Sequence, residues 1–285
     1  MSAATSSAAP APLALIKVGG DVVDDPAQLK GLADNLVALR LAGHRVVVVH
    51  GGGPQVTALQ AALGQTAHKV AGQRVTSSDD LFAVTACLAG VVNVRLCAAL
   101  TQAGVPAFGC HGANMILATK RPPLEVRGHG VVDYGEVGDV VDVDTRALFA
   151  LLDAGCVPVV ATLGIERANG RVLNINGDTA AVAVAVALSA QVVLLVTAVG
   201  GVFKDRHDPA TRLTSLTPSQ ARALIADGTI VDGMIPKVEE ALGLLASGAR
   251  LAAIVSSKDP GAFAAVVGGH DDWGTRFVAD LASST

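Results

Sequence analysis

The feature that most constrains the fold of this chain is a run of four valines at residues 46–49, followed by three glycines at residues 51–53. A run of β-branched residues predicts a strand that is buried on both faces, which is typical of a parallel sheet. Pro54 suits the first position of a helix, and apolar residues follow it at helical spacing. A buried strand therefore leads through a turn without side chains to a helix N-terminus, where backbone N–H groups and the helix dipole favour an anionic ligand.

Strands and helices alternate along the rest of the chain. An apolar strand at residues 13–18, a helix that Asp25 can cap and the strand at residues 46–49 form a βαβ unit, which implies a parallel sheet. The alternation continues to an apolar strand at residues 251–255. The sequence therefore predicts an α/β fold, a three-layer αβα sandwich around a mainly parallel open sheet.

The domain organisation is predicted from shifts in composition. Residues 1–12 are rich in Ala, Ser and Pro, carry no charge and predict a disordered tail. A further shift near residues 160–175 predicts two lobes, an N-terminal lobe at residues 13–165 and a C-terminal lobe at residues 166–285.

Four segments carry specific structural expectations. Residues 79–102 show a long helical pattern, residues 105–108 predict a short strand, and residues 120–144 are rich in Gly, Pro and charge and predict short surface hairpins. Residues 179–203 carry no charge and would pass a hydropathy test for a membrane span, but they divide into a helix and a strand at residues 192–196. We therefore expect buried elements there and no membrane association.

Composition and missing motifs exclude several classes of function. The formal net charge is −4 and no run of Lys or Arg occurs, so no nucleic-acid surface is expected. The chain lacks a P-loop, a G-x-G-x-x-G turn after a strand, a G-x-S-x-G elbow and a metal-ligand spacing of its seven histidines. The four cysteines show no C-x-x-C spacing and predict free thiols in a reducing compartment, which favours a cytoplasmic protein.

Two glycine-rich turns follow consecutive strands, Gly19-Gly20 after the first and residues 51–53 after the second. Ligands of open parallel sheets bind at the carboxyl ends of the strands, where neighbouring turns lie beside each other. Together the two turns favour a cradle for a phosphate or a carboxylate. We interpret His50, which precedes the second turn, as a core imidazole bonded to the backbone.

Two lysines are the candidates for chemistry at this edge of the sheet. Lys17 interrupts an apolar strand, where a lysine is costly unless it has a partner or reaches solvent along an edge. Lys237 stands at a helix start, where a cation opposes the helix dipole and favours a nearby anion. Asp178 begins an almost uncharged helix and either pairs with the lysines or only caps that helix together with Thr179.

Six short motifs and a closing Gly274-Thr275-Arg276 stand in a fixed order along the chain. The six motifs are Lys17-Val18-Gly19-Gly20, His50-Gly51-Gly52-Gly53-Pro54, Gly72-Gln73-Arg74-Val75-Thr76, Gly90-Val91-Val92-Asn93, Asn174-Ile175-Asn176-Gly177-Asp178-Thr179-Ala180-Ala181 and Asp232-Gly233-Met234-Ile235-Pro236-Lys237. Their order resembles that of the acetylglutamate kinases, within the amino acid kinase family, over roughly residues 13–280.

The resemblance implies an enzyme that phosphorylates the side-chain carboxylate of N-acetyl-L-glutamate with MgATP, giving N-acetylglutamyl 5-phosphate in arginine biosynthesis. A carboxylate is already ionised at neutral pH, so the implied catalysis is positioning and charge neutralisation without a general base. By similarity, Lys17 and Lys237 stabilise the phosphoryl group in flight, and Asp178 orients the two lysines.

The resemblance also implies binding residues in both lobes. Gly19 and Gly20 would hold the phosphoryl group. The acceptor N-acetyl-L-glutamate would contact Gly52, Gly53, Arg74 and Asn174. The ATP site would be formed by Ala198, Val199, Gly200, Gly201, Val202, Phe203, Thr229, Ile230, Val231 and Met234. Mg²⁺ would be held by ATP oxygens and water, with no metal ligand from the protein.

The chain departs from the family pattern at several places. Ala198 stands where an Asp is usual and removes a possible contact to the nucleotide; Gly177 replaces an Ala, and residues 112–115 replace a glycine-rich Asp-Gly loop. Arginine-inhibited members carry an extra N-terminal helix that links dimers into hexamers. The tail at residues 1–12 is a poor helix candidate, so a homodimer without strong arginine inhibition is expected.

Two other functions stay open at this point. A kinase of the same family phosphorylates α-aminoadipate attached to a small carrier protein in lysine biosynthesis, and Gly177-Asp178 resembles that branch. A non-catalytic amino-acid-sensing relative would suit Ala198, although such a protein has no use for two lysines at a phosphoryl site.

Overall fold

A computed structural model describes residues 11–205, 207–231 and 233–280, and the predicted tail at residues 1–12 lies outside these ranges except for its last two residues. The strands are β1 Leu13–Val18, β2 Arg45–His50, β3 His68–Val70, β4 Gln73–Val75, β5 Ala107–His111, β6 Ile116–Lys120, β7 Leu124–Val126, β8 Gly130–Val132, β9 Val137–Val143, β10 Val157–Ala161, β11 Leu163–Glu166, β12 Arg171–Ile175, β13 Val192–Val196, β14 Val202–Phe203, β15 Arg212–Leu213, β16 Ser215–Leu216, β17 Leu251–Val255 and β18 Thr275–Phe277. The helices are α1 Gly20–Asp24, α2 Pro26–Leu41, α3 Gly53–Ala62, α4 Ser78–Thr85, α5 Asn93–Gln102, α6 Arg146–Asp153, α7 Gly177–Ala187, α8 Pro218–Ala226, α9 Met234–Ala246 and α10 Ala262–Val267.

The main sheet confirms the predicted three-layer fold. Its eight strands follow the order β16-β18-β17-β13-β1-β2-β10-β5, and every neighbouring pair is parallel except β17 and β18. One apolar cluster packs α2, α5 and α10 on one face of the sheet. A second cluster packs α6, α7 and α9 on the other face, which completes the αβα sandwich.

The strands β1, β2 and β13 end level with one another. Lys17 pairs in register with Val49 of β2 and Leu195 of β13, and Val18 pairs with His50 and Val196 in the same way. The turns that follow these three strands therefore emerge side by side at the carboxyl edge of the sheet, where open α/β folds bind their ligands.

A closed four-stranded barrel, β11-β12-β9-β6, lies beside the main sheet and was not expected. The prediction of short surface hairpins over residues 120–144 is wrong for most of that stretch, because β9 pairs with β6 and β12; the β7–β8 hairpin alone fits it among the described residues. The predicted lobe boundary at residues 165/166 falls within β11, which pairs with β12.

The long helical pattern at residues 79–102 forms a continuous helix with an irregular centre. A π-helical segment, Ala86–Val92, joins α4 to α5. Within the described ranges this is the one helix, Ser78–Gln102, that is long and apolar enough to cross a membrane. Its side chains Val84, Leu88 and Leu96 lie in the core against the sheet, while Phe82, Val91 and Val94 of the same helix are exposed.

Two further sequence expectations are settled by strand pairing. The predicted strand at residues 105–108 is wrong in its bounds. The strand that pairs with β10 is Ala107–His111, which begins and ends later in the chain than predicted. The uncharged segment at residues 179–203 divides as predicted, into the end of α7 and the central strand β13.

Candidate functional site

The two glycine turns meet at the carboxyl edge of the sheet. Gly19 precedes α1 and Gly52 precedes α3, so each turn leads into a helix N-terminus. A Cβ atom on Gly20 would lie 2.5 Å from Oε1 of Gln55 and 3.1 Å from Cα of Gly52. Glycine is therefore required at position 20 because the two turns approach each other too closely for a side chain.

Lys17 reaches the same edge from inside the sheet. Strand alternation places it on the face of Leu13 and Leu15, toward α7, and its side chain is 13% exposed. Its Nζ forms an ion pair with Oδ1 of Asp178, whose side chain is 39% exposed. Burial alone would lower the pKa of Lys17, but attraction to Glu240 and Asp178 outweighs burial and raises the pKa above its ordinary value.

Asp178 is free for this pairing because another residue caps its helix. Oδ1 of Asn176 accepts hydrogen bonds from the backbone N–H groups of Asp178 at 2.9 Å and Thr179 at 3.1 Å. The expectation that Asp178 and Thr179 cap α7 is therefore wrong, because the cap is Asn176, two residues before Asp178. The alternative that pairs Asp178 with a lysine is realised with Lys17.

Lys237 lies in the first turn of α9. Its Nζ donates a hydrogen bond to the carbonyl oxygen of Gly233 at 3.1 Å, and among the described residues the ion pair of Asp178 is with Lys17. Asp232 lies outside the described residues.

Three cavities are lined by the turn after β2, by Asp178 and by Lys237, whereas Lys17, Gly19 and Gly20 line none of these three. The glycine-turn cavity, of about 190 Å³, is lined by four residues predicted to bind the acceptor, Gly52, Gly53, Arg74 and Asn174. The central cavity, of about 920 Å³, lies between the β3–β4 turn, β9, α7 and α9, and its lining includes Asp178 and Lys237. The outer cavity, of about 710 Å³, is lined by the segments before and after β14 and by the loop that leads into α9.

The cavities share walls. Gly72, Gln73 and Asn176 line both the glycine-turn cavity and the central cavity. Lys237 lines both the central cavity and the outer cavity. An acceptor in the first cavity and a donor in the third would therefore meet through the central cavity, beside Lys237.

Most residues predicted for ATP lie on the outer cavity. These are Val199, Val202, Phe203, Thr229, Ile230, Val231 and Met234. Gly200 lines a separate small cavity beside Trp273 instead. The backbone N–H of Ala198 donates to Oδ2 of Asp21 at 3.2 Å, so an acidic side chain from α1 contacts the position where the family pattern has its own Asp.

Arg74 is held by polar groups of α3. Its guanidinium donates to the Gly53 carbonyl oxygen at 2.9 Å, to Oγ1 of Thr57 at 2.7 Å and to Oε1 of Gln60. Nε2 of the buried Gln60 donates in turn to Oδ1 of Asp80. Burial lowers the pKa of Arg74, and attraction to Asp80 works against that shift.

Asn174 lines the glycine-turn cavity together with Arg74. Its Nδ2 donates to Oγ1 of Thr76 at 3.0 Å, which fixes the orientation of the amide within the barrel strand β12. The amide is therefore preorganised for a polar ligand group.

Sequence reasoning missed two groups at this site. Gln60 gave a weak signal as a polar residue within the apolar pattern of α3, and the structure buries it completely. Glu240, one helical turn after Lys237, is 8% exposed, and burial raises the pKa of its carboxyl to about 8. Nothing in the sequence distinguishes it from its exposed neighbour Glu239.

His50 is confirmed as a core imidazole. It is fully buried, with Nδ1 2.9 Å from the Gly51 carbonyl oxygen and Nε2 3.0 Å from Nδ2 of Asn93. Burial lowers its pKa to about 4, so the ring is neutral at physiological pH.

The chain matches known proteins over most of its length. Residues 12–256 match the sequence model of the Amino acid kinase family. An acetylglutamate kinase of Sorangium cellulosum is 48% identical over 251 residues, which cover 87% of this chain and 88% of that protein. An acetylglutamate kinase of Anaeromyxobacter dehalogenans is 44% identical, covering 89% of this chain and 94% of that protein. Among solved structures, smu.665 from Streptococcus mutans UA159 is 30% identical with a TM-score of 0.73, covering 94% of this chain and 99% of that one.

Proposed function

The chain belongs to the amino acid kinase family, and from this membership we propose that it is an acetylglutamate kinase. It transfers the γ-phosphoryl group of ATP to the side-chain carboxylate of N-acetyl-L-glutamate, a step of arginine biosynthesis. A carboxylate oxygen attacks the γ-phosphorus, the bond from that phosphorus to the β–γ bridging oxygen breaks, and N-acetylglutamyl 5-phosphate and ADP form.

The site supplies positive charge where this reaction needs it. Both reactants are anions, and the carboxylate is ionised at neutral pH without a base. We assign to Lys17, which pairs with Asp178, and to Lys237 the role of neutralising the charge that passes from the acceptor to ADP. The turns at Gly19-Gly20 and Gly52-Gly53 each lead into a helix N-terminus and lie close together, since a Cβ atom on Gly20 would be 3.1 Å from Cα of Gly52.

The single observation that carries the proposal is the position of Lys237 between two cavities. It lines the outer cavity, which we assign to ATP, and the central cavity, which adjoins the glycine-turn cavity assigned to N-acetyl-L-glutamate. We therefore assign the nucleotide to the C-terminal lobe, residues 166–285, and the acceptor mainly to the N-terminal lobe, residues 13–165, with Asn174 of the C-terminal lobe completing the acceptor cavity.

Mg²⁺ fits this site as an ion that enters with the nucleotide. Within residues 11–205, 207–231 and 233–280, no group of three His, Cys, Asp or Glu side chains is arranged to hold a metal ion. Asp178 is engaged by Lys17, and Asp21 accepts from Ala198. We propose that ATP oxygens and water supply most of the ligands, since Mg²⁺ keeps several waters and binds substrate phosphates in such sites.

The test is a comparison of three acceptors. ADP release is measured with N-acetyl-L-glutamate, glutamate and carrier-linked α-aminoadipate, and the acyl phosphate is trapped with hydroxylamine to separate phosphotransfer from ATP hydrolysis. We expect hydroxamate from N-acetyl-L-glutamate. Product from the carrier-linked acceptor alone would assign the protein to lysine biosynthesis, and no product from any acceptor would favour an amino-acid sensor.

Arg74→Lys is expected to raise KM for N-acetyl-L-glutamate by roughly 10- to 100-fold with a smaller effect on KM for ATP. A lysine keeps the charge but loses the fork that binds a carboxylate through two N–H groups. Steady-state kinetics with each substrate varied in turn measures the split. Arg95→Lys, a change on an exposed arginine that pairs with Asp24, is the matched control. Equal effects on both KM values would contradict the assignment of Arg74 to the acceptor.

We further propose a cytoplasmic homodimer that arginine does not inhibit strongly. Free thiols at all four cysteines support a reducing compartment. The long helix exposes Val91 and Val94, which are 49% and 63% exposed and lie one turn apart, and such apolar surface is typical of an interface.

Val94→Glu is expected to convert the dimer into monomers, because a charge in a buried apolar interface is costly. Light scattering after size exclusion gives the mass, with and without arginine. Leu41→Glu, on an 84% exposed leucine of α2, is the control and should leave the mass unchanged. A hexamer whose activity arginine abolishes would overturn the proposal.

A further inference from the structure

Glu240 is a buried carboxyl group without a hydrogen-bond partner. It lies on α9 three residues after Lys237 and is 8% exposed. Both of its carboxyl oxygens are buried, and among the residues that the structure describes neither has a hydrogen-bond partner. Buried carboxylates are almost always paired because an unpaired one is costly, so this arrangement favours the neutral, protonated form.

The surroundings of Glu240 connect it to the reaction centre. Charged groups act on it from three elements: Lys17 on β1, Asp178 on α7 and Lys237 on its own helix. Asp21 on α1 acts on the same Lys17. The strands β13 and β17, on which α9 packs, consist of apolar residues. Glu240 also lines the central cavity together with Asp178 and Lys237.

The charge balance of this cluster depends on whether Glu240 carries a proton. Burial raises the pKa of Glu240 to about 8; Lys17 and Lys237 oppose this shift, and Asp178 adds to it. The carboxyl is therefore neutral at pH 7 and becomes an anion above pH 8. As an anion it would add to Asp178 and Asp21 a further negative charge that competes for Lys17.

We propose that Glu240 is a positioning residue that holds a proton beside the two lysines. Loss of this proton draws both lysines toward the carboxylate and weakens their interaction with the phosphoryl group. The proposal rests on the proposed function of the site. With Glu240 protonated, the positive charge of Lys17 is shared between Asp178, Asp21 and the transferred group. With Glu240 ionised, the buried carboxylate attracts both lysines and weakens the stabilisation of the transition state.

This arrangement predicts a loss of activity on the alkaline side. kcat/KM, which reports the free enzyme, should fall by about tenfold for each pH unit above an apparent pKa near 8. The alkaline limb of kcat, which reports the complex, should lie at higher pH, because two bound anions further disfavour the ionised carboxyl. Lys17 does not titrate in this range, since its pKa is raised above its ordinary 10.5.

The test compares Glu240→Gln with the wild-type protein and with Glu239→Gln. Glutamine keeps the shape and cannot ionise, so the variant should lose the alkaline limb of kcat/KM near pH 8. Glu239→Gln removes an exposed carboxylate from the same helix and should keep that limb. A limb that survives in Glu240→Gln, or that disappears in Glu239→Gln, would overturn the role of Glu240.

Two measurements do not depend on activity. Infrared difference spectra of the wild-type protein should show a protonated carboxyl that disappears between pH 7 and pH 9 and is missing in Glu240→Gln. The carboxyl has a higher pKa in the folded than in the unfolded chain, so the stability it contributes is complete below its ordinary pKa of 4.5 and is lost as pH rises through about 8. The melting temperature of Glu240→Gln, relative to that of the wild type, should therefore increase from pH 5 to pH 9.

The outcomes separate the two proposals. A wild-type protein that phosphorylates no acceptor at any pH contradicts the proposed function, whatever the spectra show. An active enzyme without a carboxyl signal between pH 7 and pH 9 contradicts the role of Glu240 alone, and this result needs no variant to fold.

Discussion

Replacing Lys237 by alanine is expected to lower kcat by about 10²- to 10³-fold, while ATP still binds. The side chain is the one cation in the described residues that lines both the central and the outer cavity. Its removal takes positive charge from the point where the phosphoryl group passes between reactants. The larger part of the effect should therefore fall on kcat rather than on either KM.

Folding should survive this change, which makes the result interpretable. Lys237 stands in the first turn of α9, where a cation opposes the helix dipole, and alanine is a strong helix former. The melting temperature should stay level or rise. ATP affinity is measured by calorimetry, and Lys258→Ala, on an exposed lysine, is the control. Turnover near the wild-type value would remove Lys237 from the mechanism.

Much of the fold follows from local sequence pattern. The valine run in β2 and the apolar residues around Lys17 in β1 predict buried parallel strands, and the glycine turns mark the edge at which a ligand binds. The barrel was missed because its pairings are non-local: β6 pairs with β11 through Leu117 and Ile165, which are 48 residues apart in the chain. The π-helical segment was missed because the apolar pattern runs through it without a break.

The candidate site was predictable where one residue breaks a strong pattern. Lys17 is such a residue, since a lysine in a buried strand needs a partner. The sequence left Asp178 with two possible roles, as a partner of the lysines or as the cap of α7. Because Asn176 forms the cap, Asp178 is free to pair with Lys17. Glu240 breaks no pattern, because a glutamate pair on a helix is ordinary; its burial comes from packing of α9 against α7 and the sheet.

Lys17→Met is expected to lower kcat by at least about 10²-fold, because Lys17 is a largely buried charge, with a side chain that is 13% exposed, just before the first glycine turn. Methionine keeps much of the length and apolar contact of the lysine stem, so the strand β1 should stay packed. Lys30→Met is the matched control: Lys30 pairs with Asp34 on the surface of α2, with a side chain that is 77% exposed. That change should leave kcat within twofold, as expected of an exposed ion pair worth about 1 kcal/mol or less.

The ion pair predicts that Lys17 and Asp178 act as a unit. Asp178→Asn keeps the shape of the side chain but leaves Lys17 without its anionic partner, and we expect a loss of about tenfold or more in kcat. If Asp178 acts only by orienting Lys17, the double variant Lys17→Met, Asp178→Asn should be no slower than Lys17→Met by more than a few-fold. Losses that multiply in the double variant would show that Asp178 has a role independent of Lys17, such as orienting Lys237.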